Sequence, residues 1–367
     1  MRTKLVAGLA AATLILGLLT GSRPLAEVSA LILGLVYAPI AIAALAELCC
    51  GVPAPRLEKR GETFVISTPF GSRRVAALEI RDVRHGVLDL TPIRHYGACK
   101  ALLDTLLVNP EFSYTLIYEK SSGAFRAVLL MVPRRELSEA RLLSAALEVV
   151  KQLRPLGVEA RPLQEPPPLS LKPKRGAPGA FLLLLLAALS IALLRVGAYA
   201  LGGILALYSV VALILACSAR RHLHHVEGEL LYLKANESMF TEPSYEEMYS
   251  RSRWLFELLN SLEGYVIIVR LDRAPAYVGR LLERRAFSLY ERATAFDKLS
   301  LMVKADRLLN AADRHFHRRE ALLEVTLTVI ATRRAAKALR RAFEVAGLSL
   351  GKAFIRSPAL WGALGLP

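Results

Sequence analysis

A chain of 367 residues has room for two or three domains. Its 54% hydrophobic content and mean hydropathy of +0.37 argue against an ordinary cytosolic enzyme. Yet 22% of residues are charged, so the apolar ones have to be segregated, and the formal charge of +16 suits an anionic lipid surface or a nucleic acid.

In chain order, four nearly charge-free stretches stand out, at residues 5–19, 28–48, 181–194 and 196–217. A helix needs about 20 apolar residues to cross a bilayer core. Read as spans, they form two hairpins at 1–50 and 177–218, because only a few residues separate the members of each pair. A secretory signal peptide is the rival reading of the first stretch, since Arg2 and Lys4 precede it. Basic residues flank the outer ends (Arg2, Lys4, Arg56, Lys59, Arg60, Lys172, Lys174, Arg175, Arg220, Arg221), and the tips hold only Arg23 and Arg195. The bias predicts a multi-pass protein of the cell (cytoplasmic) membrane with both soluble segments inside.

The first soluble segment, 51–165, reads strand (62–67), turn at Gly71, strand (74–80), helix from Thr91-Pro92 to about 108, strand (112–119), turn at Ser121-Ser122-Gly123, strand (125–132), helix (137–153) and strand (158–163). In the strand at 112–119, Phe112, Tyr114, Leu116 and Tyr118 alternate with Ser113, Thr115 and Glu119, which predicts a half-buried strand. A Pro- and Lys-rich linker follows at 166–176.

The second segment, 219–367, repeats the order. A strand (226–234) leads to a helix opened by the capping box Ser244-Tyr245-Glu246-Glu247, then strands at 265–271 and 324–329, a helix at 332–346 and a strand at 348–354. Gly157 and Gly347 sit at the same helix-to-strand joint. Both segments therefore read βαββαβ, and the expected class is an α+β membrane protein: four transmembrane helices in two hairpins, each hairpin followed by a ferredoxin-like domain. One feature breaks the repeat. Residues 273–319 replace a tight hairpin with a long, charged pair of helices, and such insertions are usually functional.

Chemistry-bearing motifs are sparse. The sequence has no phosphate-cradling glycine loop, so it is not expected to hydrolyse nucleotide. His222, His224 and His225 with Glu227 and Glu229 lack clear metal spacing, and His315 and His317 lie among arginines that oppose a cation. The four cysteines, Cys49, Cys50, Cys99 and Cys217, show no metal pattern and read as small buried apolar residues. The sequon at Asn236 should be unused in a cytoplasmic segment. No catalytic residue, cofactor or metal is expected, although a triad assembled from loops would escape a sequence reading.

The insertion carries Arg280, Arg284, Arg285, Arg292, Lys298, Lys304, Arg307, Arg314, Arg318 and Arg319, with Tyr277, Phe287, Tyr290 and Phe296 interleaved. Basic and aromatic side chains together suit a nucleic acid. Interspersed Glu283, Glu291, Asp297, Asp306 and Asp313 suit a protein partner or a solvated face instead. The arginines Arg280, Arg284, Arg285, Arg292, Arg307, Arg314, Arg318 and Arg319 are the candidate contact residues.

Phe64-Val65-Ile66-Ser67 through Gly71, then Leu88-Asp89-Leu90-Thr91 and the helix to Leu107, resemble the amino-terminal region of TraC-like conjugation (type IV secretion) ATPases. So do Trp254-Leu255-Phe256-Glu257-Leu258-Leu259-Asn260 and Tyr265-Val266-Ile267-Ile268-Val269-Arg270, with the strand at 323–332 and helix at 335–343. The resemblance covers the soluble segments and lacks the motor domain. It implies a motorless, membrane-anchored, non-enzymatic subunit of a DNA-transfer machine that seats a separate hexameric DNA-translocating ATPase. Expected partners are membrane lipid, that ATPase, further copies of the chain and, less directly, nucleic acid. A membrane-anchored scaffold or sensor with no DNA role is the alternative, and a membrane-bound enzyme a third. The Arg-, Leu- and Ala-rich composition suits a thermophile, an archaeon in particular.

Overall fold

The computed structural model describes residues 56–68, 71–83, 92–107, 109–121, 123–165, 179–195, 199–219, 228–234, 245–275, 277–316, 323–353, 360 and 362–364, with single residues among the first 32. In the first half, β1 (Arg56–Arg60), β2 (Thr63–Thr68) and β3 (Gly71–Val83) precede α1 (Pro92–Leu107). Then come β4 (Phe112–Ser121), β5 (Ala124–Pro133), α2 (Glu139–Leu153) and β6 (Val158–Pro162). A helix pair follows, α3 (Gly179–Arg195) and α4 (Tyr199–Ala219). The second half runs β7 (Glu229–Leu233), α5 (Tyr245–Ser261), β8 (Tyr265–Arg273), α6 (Tyr277–Phe296), α7 (Leu299–Phe316), β9 (Leu323–Ala331), α8 (Arg333–Val345) and β10 (Leu350–Lys352).

All ten strands join one antiparallel sheet in the order β1-β2-β3-β5-β4-β8-β9-β7-β10, with β6 on β3. Within it the first half contributes β6-β3-β5-β4 and the second β10-β7-β9-β8. Numbered within its own half, each run is 4-1-3-2, the arrangement of a split βαββαβ unit. The halves meet edge to edge through β4 and β8, where Ile117 lies opposite Ile268 at the middle of the register. The same strand of each half pairs with its counterpart antiparallel, as the two copies of a two-fold dimer would. The result is a continuous sheet where the sequence suggested two separate lobes.

Local chemistry sets the joints. Ser138 caps α2 by accepting from Arg141 N at 3.4 Å, and Thr332 caps α8 by accepting from Ala335 N at 3.4 Å. Gly157 (φ +77) and Gly347 (φ +82) take the left-handed turn from helix to strand. At Gly347 the turn is fixed by Leu348 N donating to Phe343 O at 2.7 Å.

Helices α1, α2, α5 and α8 lie on one face of the sheet, and α1 packs on α5 across the seam between the halves. Beneath them are two apolar clusters. One gathers Leu78, Phe112, Tyr114, Met131, Leu142 and Leu153; the other gathers Leu231, Tyr265, Ile267, Val329, Leu339 and Phe343. The opposite face carries one cluster that runs through both halves: Phe64, Ile66, Val75, Ile117, Leu130, Val266, Ile268 and Ile330, with Leu360, Ala363 and Leu364 from the C-terminal segment. Central strands are thus buried on both faces, which explains unbroken apolar runs such as Tyr265-Val266-Ile267-Ile268-Val269.

Three expectations are corrected. Strand β4 is not half-buried: Ser113, Thr115 and Glu119, on the side assigned to solvent, are buried too. Ile117 shares that side and draws it into the second apolar layer. The extra strand β1 was not foreseen; it pairs Arg56–Arg60 with β2. The largest correction concerns the four spans, the two membrane hairpins and the multi-pass membrane location. Among the described residues no helix is long and apolar enough to cross a membrane. Helix α3, with 17 residues, is about 25 Å long against a bilayer core of about 30 Å. Helices α3 and α4 pack as a pair, where Ser190 Oγ donates to Gly202 O at 2.8 Å and a Cβ on Gly202 would fall 2.7 Å from Leu194 Cγ. The stretches at 5–19 and 28–48 lie almost wholly outside the described residues.

Candidate functional site: a projecting helical hairpin

The insertion between β8 and β9 is an antiparallel pair of helices. Gly279, Ala286 and Ala293 recur every seven residues on α6, and Ala305 and Ala312 do so on α7; all five are buried. A seven-residue repeat keeps one seam facing a partner helix along its whole length. Small residues on that seam let the two backbones approach closely, and a Cβ on Gly279 would fall 2.7 Å from His315 Cδ2 and 2.9 Å from Phe316 Cζ. Leu308 completes the seam, with Leu282, Leu289, Tyr290 and Leu309 packed at its edges. The Tyr290 hydroxyl donates to the Asp306 carboxylate across the pair, and this hydrogen bond raises the Tyr290 pKa above the ordinary value.

The helices are joined by Asp297 and Lys298 alone. Asp297 adopts φ +48, which Asp tolerates better than most side chains. Lys298 N donates to Ala293 O at 3.0 Å, closing the six-residue ring that ends α6. The Lys298 ammonium lies 6.0 Å from the centroid of the Phe296 ring. With 20 residues, α6 is about 30 Å long. Among the described residues the pair makes no extended contact with any other helix or strand, so it projects from the sheet.

Its tip is apolar. Phe296 is 68% exposed, Leu299 74%, Met302 41% and Val303 41%, all within eight residues. Tyr277, Leu281 and Phe287 add further exposed apolar surface along α6. The arginines singled out from the sequence do not converge. Arg280 and Arg284 share one strip of α6 with Glu291, while Arg285 and Arg292 occupy a second strip. Arg307 is exposed on α7 beside Asp306, and Arg314 is half-buried. Arg318 and Arg319 lie outside the described residues, as do His222, His224, His225 and His317. The hairpin is therefore mixed in charge along its length and groups its exposed apolar side chains most densely at its end. Tyr290, read as one of the interleaved aromatics, packs partly buried at the edge of the seam and spends its hydroxyl on Asp306. The sequence reading counted Phe296 among the interleaved aromatics and chose the arginines as contacts, so it did not group Phe296 with Leu299, Met302 and Val303. The legible signal was the seven-residue spacing of Gly279, Ala286, Ala293, Ala305 and Ala312.

Among the described residues no group of three His, Cys, Asp or Glu side chains gathers to hold a metal. No protein-family model matches the sequence, and no curated protein matches it.

Proposed function

We propose that the protein is a non-catalytic assembly component that docks a protein partner with the tip of the α6–α7 hairpin. The observation that carries this reading is the tip itself: Phe296, Leu299, Met302 and Val303 exposed together on a stiff, closely packed pair of helices that stands off the sheet. Large apolar side chains grouped at one exposed point are what a binding anchor requires. Burying what these four now expose would contribute roughly 4–8 kcal/mol before the cost of association. That is enough to anchor a complex and too little to make one unaided, so contacts beyond the tip have to add to it. The resemblance to the motorless region of TraC-like proteins gives the partner its class, a separate hexameric DNA-translocating ATPase.

The test is affinity purification of the full tagged chain from its native cells. The unaltered chain should bring down a hexameric ATPase. The variant F296S/L299S/M302S/V303S should lose it while keeping its circular dichroism and melting temperature. Equal recovery with the variant, or recovery of no ATPase with the unaltered chain, would refute the proposal.

A further inference from the structure

Helix α8 is amphipathic in an unusual way. Its inner face (Ala335, Ala336, Leu339, Ala342, Phe343) is buried on the sheet. Its outer face presents Arg333, Arg334, Lys337, Arg340 and Arg341, all exposed, with Glu344 the one acid and that at the far end. The spacing i, i+1, i+4, i+7 and i+8 from Arg333 places these cations on one arc of the helix, about 120° wide.

Elsewhere on this protein many surface arginines have a carboxylate. Arg74 meets Glu139 at 3.4 Å, Arg141 meets Glu111 at 3.0 Å, Arg161 meets Glu159 at 2.7 Å, and Arg253 meets Glu257 at 3.1 Å. None of the five α8 cations has an ion pair or side-chain hydrogen bond among the described residues. Helix stability does not call for them either. Arg333 and Arg334 occupy the first turn, where the helix dipole disfavours positive charge, and no acid accompanies them there. Arg333 with Lys337 and Lys337 with Arg341 are like charges four apart, which repel.

The fold supplies its own control. Helix α2 holds the same position in the first half, caps its start in the same way and buries Leu142, Ala146, Val149 and Leu153 on the same face of the sheet. Its outward side chains are mixed: Glu139 in the first turn, Arg141 paired with Glu111, then Glu148 and Lys151. The position thus tolerates a neutral face, and the charge of α8 is not needed to build the domain.

We infer that the outer face of α8 is a binding surface for the phosphodiester backbone of duplex nucleic acid. From Arg333 to Arg340 the helix rises about 10 Å. That length of duplex carries about six phosphates over its two strands, so five cations are comparable in number. Exposed aromatics, the platforms on which single strands stack, are absent from this arc among the described residues. The surface therefore reads charge and not sequence. It lies on a different element from the docking tip and does not rest on that proposal.

The test is fluorescence anisotropy of the full chain with a labelled duplex of about 25 base pairs and arbitrary sequence, titrated at several salt concentrations. Five phosphate contacts give a slope of log affinity against log salt of about −4.5. K337Q/R340Q/R341Q should bring the slope to about −2 and weaken binding at least tenfold at moderate salt. Gln is nearly as good a helix former as Lys or Arg, so the variant should melt no lower than the parent. R141Q/K151Q on α2 should leave slope and affinity unchanged. An α8 variant that binds with the parental slope, a parent that does not bind duplex, or a parent that binds vesicles of anionic lipid but not duplex would each overturn the assignment.

Discussion

If the hairpin is a separate unit clamped only by its small-residue seam, enlarging that seam should open the hairpin and leave the sheet alone. Ala286 is fully buried against Ala305 and Leu308. Replacing it with Leu forces three more carbons between two helices that are already in contact. Overpacking of this kind costs about 1–3 kcal/mol, and Leu returns nothing in helix propensity over Ala. Because α6 and α7 touch little else, the cost falls on the opening of the pair. Hydrogen exchange of amides in 277–316 should then accelerate by roughly 10- to 100-fold, since each 1.4 kcal/mol is a factor of about ten, while β8 and β9 keep their protection. Gly279→Ala is the informative contrast. Its new Cβ also meets atoms under 3.0 Å away, but these are ring edges of His315 and Phe316, and Phe316 is 40% exposed and free to swing. The gain of about 1 kcal/mol from Gly to Ala in a helix offsets that displacement, so exchange should change by less than about fivefold. Equal loss of protection in β8 and β9 with A286L would show that hairpin and sheet open together, and the reasoning would fail.

Two further outcomes follow from the core. Burial pushes Tyr114 and Tyr265 up to about 12, with the Glu148 carboxylate adding to the effect at Tyr114. A folded-state pKa above the unfolded value of about 10 means that their contribution is complete below pH 10 and is lost as pH rises toward 12, by roughly 2–3 kcal/mol for each; urea midpoints at pH 9 and pH 11.5 measure it. The Tyr114 hydroxyl has no hydrogen-bond partner among the described residues, whereas that of Tyr265 donates to Leu259 O at 2.8 Å. Y114F should therefore gain about 1 kcal/mol at pH 8 and remove about half of the alkaline loss, and Y265F should cost about 1 kcal/mol. The C-terminal segment lies across the seam, where Arg270 Nη1 donates to Gly362 O at 2.7 Å and Leu360, Ala363 and Leu364 are buried beside Ile117 and Ile268. Ending the chain after Ala353 should lower stability by about 3–6 kcal/mol in urea unfolding, and an unchanged midpoint would show that the segment contributes nothing.

The elements were largely legible because each carries local punctuation. Pro92 opens α1, Asn109-Pro110 follows it, Gly157 and Gly347 end their helices, and the strands at Tyr265–Arg273 and Leu323–Ala331 stand out by β-branched runs. What escaped was long-range. Nothing in Phe112–Ser121 says that its edge pairs with a strand about 150 residues later, since edge pairing is written in backbone groups that every residue has. The burial of Thr115 followed from that blindness: its neighbour is the C-terminal segment, with Oγ1 donating to Ala363 O at 3.5 Å. The candidate arginines were legible as residues but not as a surface, because a charge count along 273–319 cannot tell a strip from a scatter. The α8 cations went unremarked for the opposite reason: they sit inside a helix whose burial pattern already explained it.

The pairing of β4 with β8 turns this into an argument about function. Two halves with the same strand order, joined through the same strand about a centre at Ile117 and Ile268, should differ only where folding is indifferent or where something else is selected. Two departures are too costly for indifference. Strands β4 and β5 are joined by a tight turn at Ser121 and Gly123, whereas β8 and β9 are separated by α6 and α7, which bury almost nothing of the sheet and expose Phe296 and Leu299. Helix α2 balances its charges, whereas α8 gathers five cations on one face, two of them in the first turn against its own dipole. Both departures lie in the second half. A selected docking tip and a selected phosphate-binding face in the same half place a protein partner and a duplex on one lobe, and leave the first half to complete the sheet. That division would fail if neutralising α8 and neutralising the outward charges of α2 (R141Q with K151Q) weakened duplex binding equally.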